Sequence, residues 1–157
     1  MLSLEDPQWS KFSANYTDGS HVAALLSRAE NGEDDACWYD DLHQELCHQY
    51  TVSEAAYPAA PHLVRLAQLR EDLRKHLLVL FGVCQAFSEP SALETMPAGI
   101  VDEWRRSAEE ALPLVADLLK HKQPNPSNLL YLLSTLAAVS GYPALARAIE
   151  AVDYQAE

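Results

Sequence analysis

The chain has 157 residues and a mass of 17.4 kDa, enough for one domain with a full core. An apolar share of 48% with only 5 Gly excludes collagen-like and disordered chains. The 23 Asp and Glu against 11 Lys and Arg give a net charge of −12, which excludes an unassisted hold on nucleic acid, because that binding rests on basic side chains displacing counterions.

Residues 1–19 mix Pro, Ser, Asn, Thr and Gly without a sustained period and predict an irregular lead with one short turn. Residues 20–157 read as a single domain. Its first helix starts at Ser20 as N-cap, places Val22, Leu25 and Leu26 on one face, and stops at Asn31-Gly32. Glu33, Asp34 and Asp35 favour the positive end of a second helix, whose stripe is Trp38, Leu42 and Leu46 and which ends near Gln49. Thr51 or Ser53 caps a third helix that runs to Leu69 with Pro61 inside it, so a bend is expected.

A fourth helix covers residues 71–87 through Leu73, Leu77, Leu80, Phe81 and Cys84, followed by a loop at 88–97. The fifth covers 98–121 through Trp104, Ala108, Leu112, Val115 and Leu119, again with an interior proline, Pro113. Asn125-Pro126 opens a sixth helix, apolar from 129 to 139 and stopped at Gly141; Pro143 opens a seventh with Leu145, Ile149 and Val152 in its stripe. No stretch alternates with period two, so no strand is predicted, and the fold class is all-α with about seven helices.

Sliding the sequence against itself by 52 residues superposes Pro61 on Pro113, Leu66 on Leu118, and Leu77, Leu78 and Leu80 on Leu129, Leu130 and Leu132. The shift gives 8 identities in 32 positions, and the coincident prolines inside helices are hard to obtain from Ala/Leu bias. Each unit is then a bent amphipathic helix followed by a more apolar one, with the fourth and sixth helices innermost in a stacked array. A closed helical bundle is the alternative architecture.

The stretch Trp38, Leu42, Leu46, His48-Gln49, Thr51-Val52, then Ala59-Ala60-Pro61-His62-Leu63-Val64 and Leu66-Ala67 resembles the N-terminal motif of small bacterial HEAT-like repeat proteins. The resemblance covers residues 38–67, with Tyr50 where a glycine is common and Ser53 where a tyrosine is common. It implies antiparallel helix pairs in a right-handed α-α superhelix, and a binding scaffold rather than a catalyst. Several similar helical-repeat proteins serve as cytoplasmic immunity proteins or protein-binding adaptors.

Between Arg28 and Arg65 there is no Lys or Arg, while Glu30, Glu33, Asp34, Asp35, Asp40, Asp41, Glu45 and Glu54 all fall there. Asp34, Asp41 and Glu45 gather on one flank of the Trp38 stripe and would present a negative field beside an aromatic ring, suited to steering a basic protein. The bland reading is a solvated acidic face. Asp40, His43 and Cys47 occupy the other flank at metal-ligand spacing, but a closed zinc site needs a fourth ligand, and only distant His62 or Cys84 are on offer. Glu45-x-x-His48 has the spacing of a di-iron half-site with no second copy on another helix, and His48 more simply closes helix two. No Gly-rich phosphate loop or nucleophile elbow is present, and Cys37 beside Trp38 reads as structural. Trp9, Phe12 and Tyr16 in the lead read as a cover for an open end of the core rather than as a partner anchor.

Residues 1–12 lack the basic and apolar regions of a signal peptide, residues 77–84 fall short of a bilayer span, and Cys37, Cys47 and Cys84 have no paired spacing. The expectation is therefore a cytoplasmic protein with reduced thiols and no membrane or nucleic-acid partner. Taken together, the reading is a non-enzymatic protein-binding module without cofactor or metal, most concretely an immunity protein that occludes a basic toxin domain. Its predicted contact residues are Glu33, Asp34, Asp35, Trp38, Asp41 and Glu45. The alternatives are a helical-bundle metalloenzyme using the second helix, and a scaffold with no toxin partner.

Overall fold

The computed structural model describes residues 1–121 and 125–153. A 3-10 turn at Pro7–Lys11 precedes α1 (Gly19–Glu30), α2 (Trp38–Leu46), β1 (Cys47–His48), β2 (Thr51–Val52), α3 (Ala56–Leu69) and α4 (Glu71–Phe87). Then follow α5 (Pro90–Thr95), α6 (Ala98–Lys120), α7 (Pro126–Val139) and α8 (Pro143–Asp153). The fold is all-α, with one two-stranded hairpin among the described residues. Residues 154–157 of the predicted domain lie outside them.

Local capping accounts for the starts of α1 and α7, whereas α2 to α6 begin without a side-chain cap. Asp18, not Ser20, caps α1, its carboxylate accepting from the Ser20 amide, and Gly32 leaves the helix at φ 72°. Asn125 caps α7 through the Ser127 amide with Pro126 at the first helical position, as the sequence predicts. Pro61 and Pro113 both lie inside continuous helices, α3 and α6.

Several expectations are corrected, among them the start of the third helix, which begins at Ala56 with neither Thr51 nor Ser53 capping it. The second helix ends at Leu46 rather than Gln49, because β1 and β2 pair antiparallel, Cys47 with Val52 and His48 with Thr51. The turn between them places Gln49 at φ 48° and Tyr50 at φ 64°, the left-handed pair that a two-residue hairpin requires and that favours Asn-Gly. Tyr50 thus holds a conformation that glycine adopts without strain. The predicted loop at 88–97 contains α5, opened by Pro90 at the first turn. Finally, α4 is innermost but α7 is not: Leu77, Leu78, Leu80 and Phe81 are fully buried, whereas Leu129 and Leu133 are exposed.

Helix α3 packs against α4 and α6, α4 against α7, α6 against α7, and α8 against α7 and α4. The lead closes the N-terminal end. Trp9 is buried with its Nε1 donating to the Ser3 carbonyl, Phe12 is buried, and Tyr16 stays exposed. Trp104 of α6 joins the layers, its ring 4.8 Å from Tyr57 and 5.5 Å edge-on to Phe81.

Gly82 sets how closely α4 and α7 approach. A Cβ there would meet Thr135 Oγ1 at 2.5 Å, Cγ2 at 2.7 Å and Cα at 2.8 Å. Because one of those atoms is backbone, rotating the threonine does not relieve the clash. Gly82→Ala is expected to destabilise by about 1–3 kcal/mol in denaturant unfolding, the usual range for overpacking. Gly99→Ala, which meets nothing within 4 Å, should leave stability intact and serves as the control.

Candidate functional site

The acidic stretch does not form an unpaired anionic face, because Arg65 of α3 and Arg70, between α3 and α4, fold back onto it. Arg70 grips Asp34 with two hydrogen bonds, of 2.9 and 3.1 Å, and donates also to the Ala29 carbonyl. That guanidinium holds the Asp34 carboxyl below the usual range. Asp35 accepts from Arg28 at 2.8 Å and from the Cys37 amide, which lowers its carboxyl too. Glu30 pairs with Arg65.

Two predicted contact residues are interior. Trp38 is 1% exposed, its Nε1 donating to the Leu25 carbonyl, so its ring packs the core and meets no partner. Glu45 is 6% exposed, and its carboxylate accepts from the backbone amides of Tyr16 (3.1 Å) and Thr17 (3.2 Å), fastening the lead to α2. Glu33 and Asp41 are exposed and enter no ion pair among the described residues. The six residues are therefore not one surface.

The opposite flank of α2 does line a cleft of about 590 Å3, a volume in the range of small-ligand sites. Its walls bring together Tyr39 and His43 of α2, Cys47 and His48 of β1, His76 of α4 and Glu150 of α8. The Tyr39 hydroxyl donates to the His76 carbonyl at 3.2 Å, and the His76 ring stands edge-on to Tyr39 at 5.2 Å. Burial pushes the Tyr39 phenol well above its ordinary value.

His48 is held at both nitrogens. Gln44 Oε1 can only accept, so Nδ1 donates to it, and Nε2 accepts from the Tyr16 hydroxyl at 2.9 Å. Rather than capping α2, His48 therefore ties the hairpin to the lead. Asn15 reinforces that tie, its side-chain amide donating to the Gln44 and Thr51 carbonyls. Among the described residues no group of three His, Cys, Asp or Glu side chains is placed to hold a metal ion, so Asp40, His43 and Cys47 do not assemble as ligands. No described helix is long and apolar enough to cross a membrane.

The second feature is an uncovered apolar face on α6 and α7. Leu112 is 37%, Leu129 41% and Leu133 36% exposed, with Ala116 exposed beside them, and Glu109 lies on the same face of α6. Helix α7 carries no charged residue. The helical periodicity alone hides this face, since an all-round apolar helix reads as interior. The left-handed turn that helps shape the cleft carries no Asn-Gly or Asp-Gly signal in the sequence. No family model matches the chain, and no curated protein or solved structure matches it.

Two measurements follow from this geometry. Glu45→Ala strands the Tyr16 and Thr17 amides and should cost about 1–3 kcal/mol in chemical unfolding, whereas Asp41→Ala should leave stability unchanged. Burial lowers the imidazole values of His62, His43 and His76, so the folded protein favours their neutral forms. At His62, Nε2 donates to the Leu2 carbonyl at 2.8 Å, and the Glu30 carboxylate, 3.6 Å from Nδ1, is already engaged by Arg65. The chain amine also opposes the charged ring, while Glu5 favours it. The unfolded chain then binds more protons below about pH 6.5, so stability is full above that value and falls as pH drops beneath it. Melting temperature followed from pH 8 to pH 5 should show that fall, and His62→Gln should flatten it.

Proposed function

We propose that the protein is a protein-binding module whose partner docks on the outer face of α6 and α7. The observation that carries this is the exposure of Leu112, Ala116, Leu129 and Leu133. Read as two units offset by 52 residues, these positions correspond to Ala60, Val64, Leu77 and Phe81, all of which are fully buried, on helices that the second pair packs against. The second pair thus presents the kind of surface that the first pair covers with helices, and a helical face of a partner is its natural complement.

Charge defines the partner's rim. Glu109 and Glu110 lie exposed on α6 with no ion pair among the described residues, and the chain as a whole carries −12, so the complementary surface is basic around an apolar centre. A basic toxin domain fits that description, and with the resemblance to bacterial HEAT-like proteins it makes an immunity protein the most concrete form of this reading. Binding would act by covering the toxin.

Co-purification with the product of a neighbouring gene that arrests growth, followed by titration calorimetry, tests it. The double variant Leu129→Glu and Leu133→Glu should weaken the complex at least about tenfold with helical content unchanged, as expected for central apolar contacts. Glu109→Lys with Glu110→Lys should slow association and reduce its salt dependence. Unchanged affinity in the leucine variant would move the interface elsewhere, with Glu33 and Asp41 the next surface to replace.

A further inference from the structure

We propose that the cleft binds a small linear zwitterion, a carboxylate and an amine joined by an apolar chain, with Lys75 receiving the carboxylate and Glu150 the amine. Lys75 of α4 lines the cleft half-buried, and its Nζ donates to Asn128 Oδ1 of α7 at a long 3.4 Å. Among the described residues no carboxylate lies within ion-pair distance of that ammonium. Arg28, Arg65, Arg70, Arg106 and Lys120 all meet carboxylates, in a chain of net charge −12. Drawing an ammonium partly out of water costs free energy that one neutral amide oxygen offsets only in part, and an anion entering the cleft would offset the rest.

Glu150 lines the same cleft from α8 and is 7% exposed. Arg147, three residues earlier, donates to the Ala86 carbonyl, so α8 is fastened to the C-terminal end of α4, whereas Lys75 stands in its N-terminal half. No ion pair joins Lys75 to Glu150, so two opposite charges line one cleft and are held apart. A ligand that carries both signs satisfies both groups at once; a singly charged one leaves a buried charge without its complement.

The lining between them is apolar. Val79 and Val83 follow Lys75 at intervals of four residues, a single stripe of α4 that spans about 12 Å along the helix axis, and Tyr131 lines the cleft from α7, three residues beyond Asn128. Methyl groups and an aromatic ring suit a methylene chain better than a polar body. Burial lowers the imidazoles of His43 and His76, so these lining residues add hydrogen-bonding groups without charge at neutral pH. Asp40 also lines the cleft but is exposed and enters no ion pair with Lys75. None of the leucines of the α6 and α7 face lines the cleft, so the two sites stand or fall separately.

The test is titration of the full chain with 6-aminohexanoate, hexanoate and hexylamine at fixed ionic strength, followed through the backbone amides by two-dimensional NMR. 6-Aminohexanoate should bind saturably, at least about tenfold tighter than either singly charged analogue, and should move the amides of Val79, Val83 and Tyr131. Lys75→Met should bring it down to the affinity of hexylamine, and Glu150→Gln to that of hexanoate, because each substitution removes the partner of one charge alone. Hexylamine or hexanoate binding as tightly as the zwitterion, or no saturable shift at the cleft with any of the three, overturns the proposal. The comparison of ligands is made on the wild type and decides the matter even where a variant fails to fold.

Discussion

The burial of α4 is the constraint on which the rest depends. Its residues Leu77, Leu78, Leu80, Phe81 and Cys84 are all fully buried, and the helix touches α2, α3, α6, α7, α8 and both strands. A helix apolar on nearly all sides cannot be half covered, so its neighbours are recruited around it. Each neighbour meets a different device on α4. Gly82 admits the backbone of α7, Phe81 meets Trp104 from α6, Phe87 stacks on Tyr50 of the hairpin turn, and Lys75 reaches Asn128 at the start of α7. The cleft lies where α2, the hairpin, α7 and α8 all border α4, with residues from each lining it.

The helices were legible in the sequence because burial imposes a period that any window displays, as Leu77, Leu80, Phe81 and Cys84 do. The hairpin was not. Its strands are two residues each, too short for alternation to register, and its turn uses Gln49 and Tyr50 where the readable signal would be Asn-Gly. Specific tertiary contacts stand in for that missing glycine: the Tyr50 ring stacks on Phe87 at 4.3 Å, and Asn15 holds both ends of the hairpin from the lead. Such compensation lies dozens of residues away, beyond any local pattern.

Charge was misread for a related reason. A run of carboxylates without Lys or Arg looks like a free anionic face only if the chain is scanned along its length. In space, Arg70 returns to Asp34 and Arg65 to Glu30, and Glu45 turns inward to backbone amides that no sequence window marks as unsatisfied. The carboxylates of this stretch thus divide into structural ones, which hold the lead and α3 in place, and exposed ones such as Glu33 and Asp41, which do not.

That division bears on what the molecule can offer a partner. Arg28, Arg65, Arg70, Arg106 and Lys120 are matched to carboxylates, and Arg74 and Arg147 to backbone carbonyls, so most of the cations are spent inside the molecule. The outward charge is predominantly anionic, with a few exposed cations such as Lys11 and Arg105 among the carboxylates, and leucines fill much of the uncharged remainder on α6 and α7. Long-range attraction can then come only from basic surfaces, while lasting contact must come from burying Leu129 and Leu133, because exposed ion pairs in water contribute little. The acidic surplus would choose the partner and the α7 leucines would hold it, so the two roles fall to different residues and separate in kinetics, the first in association and the second in dissociation.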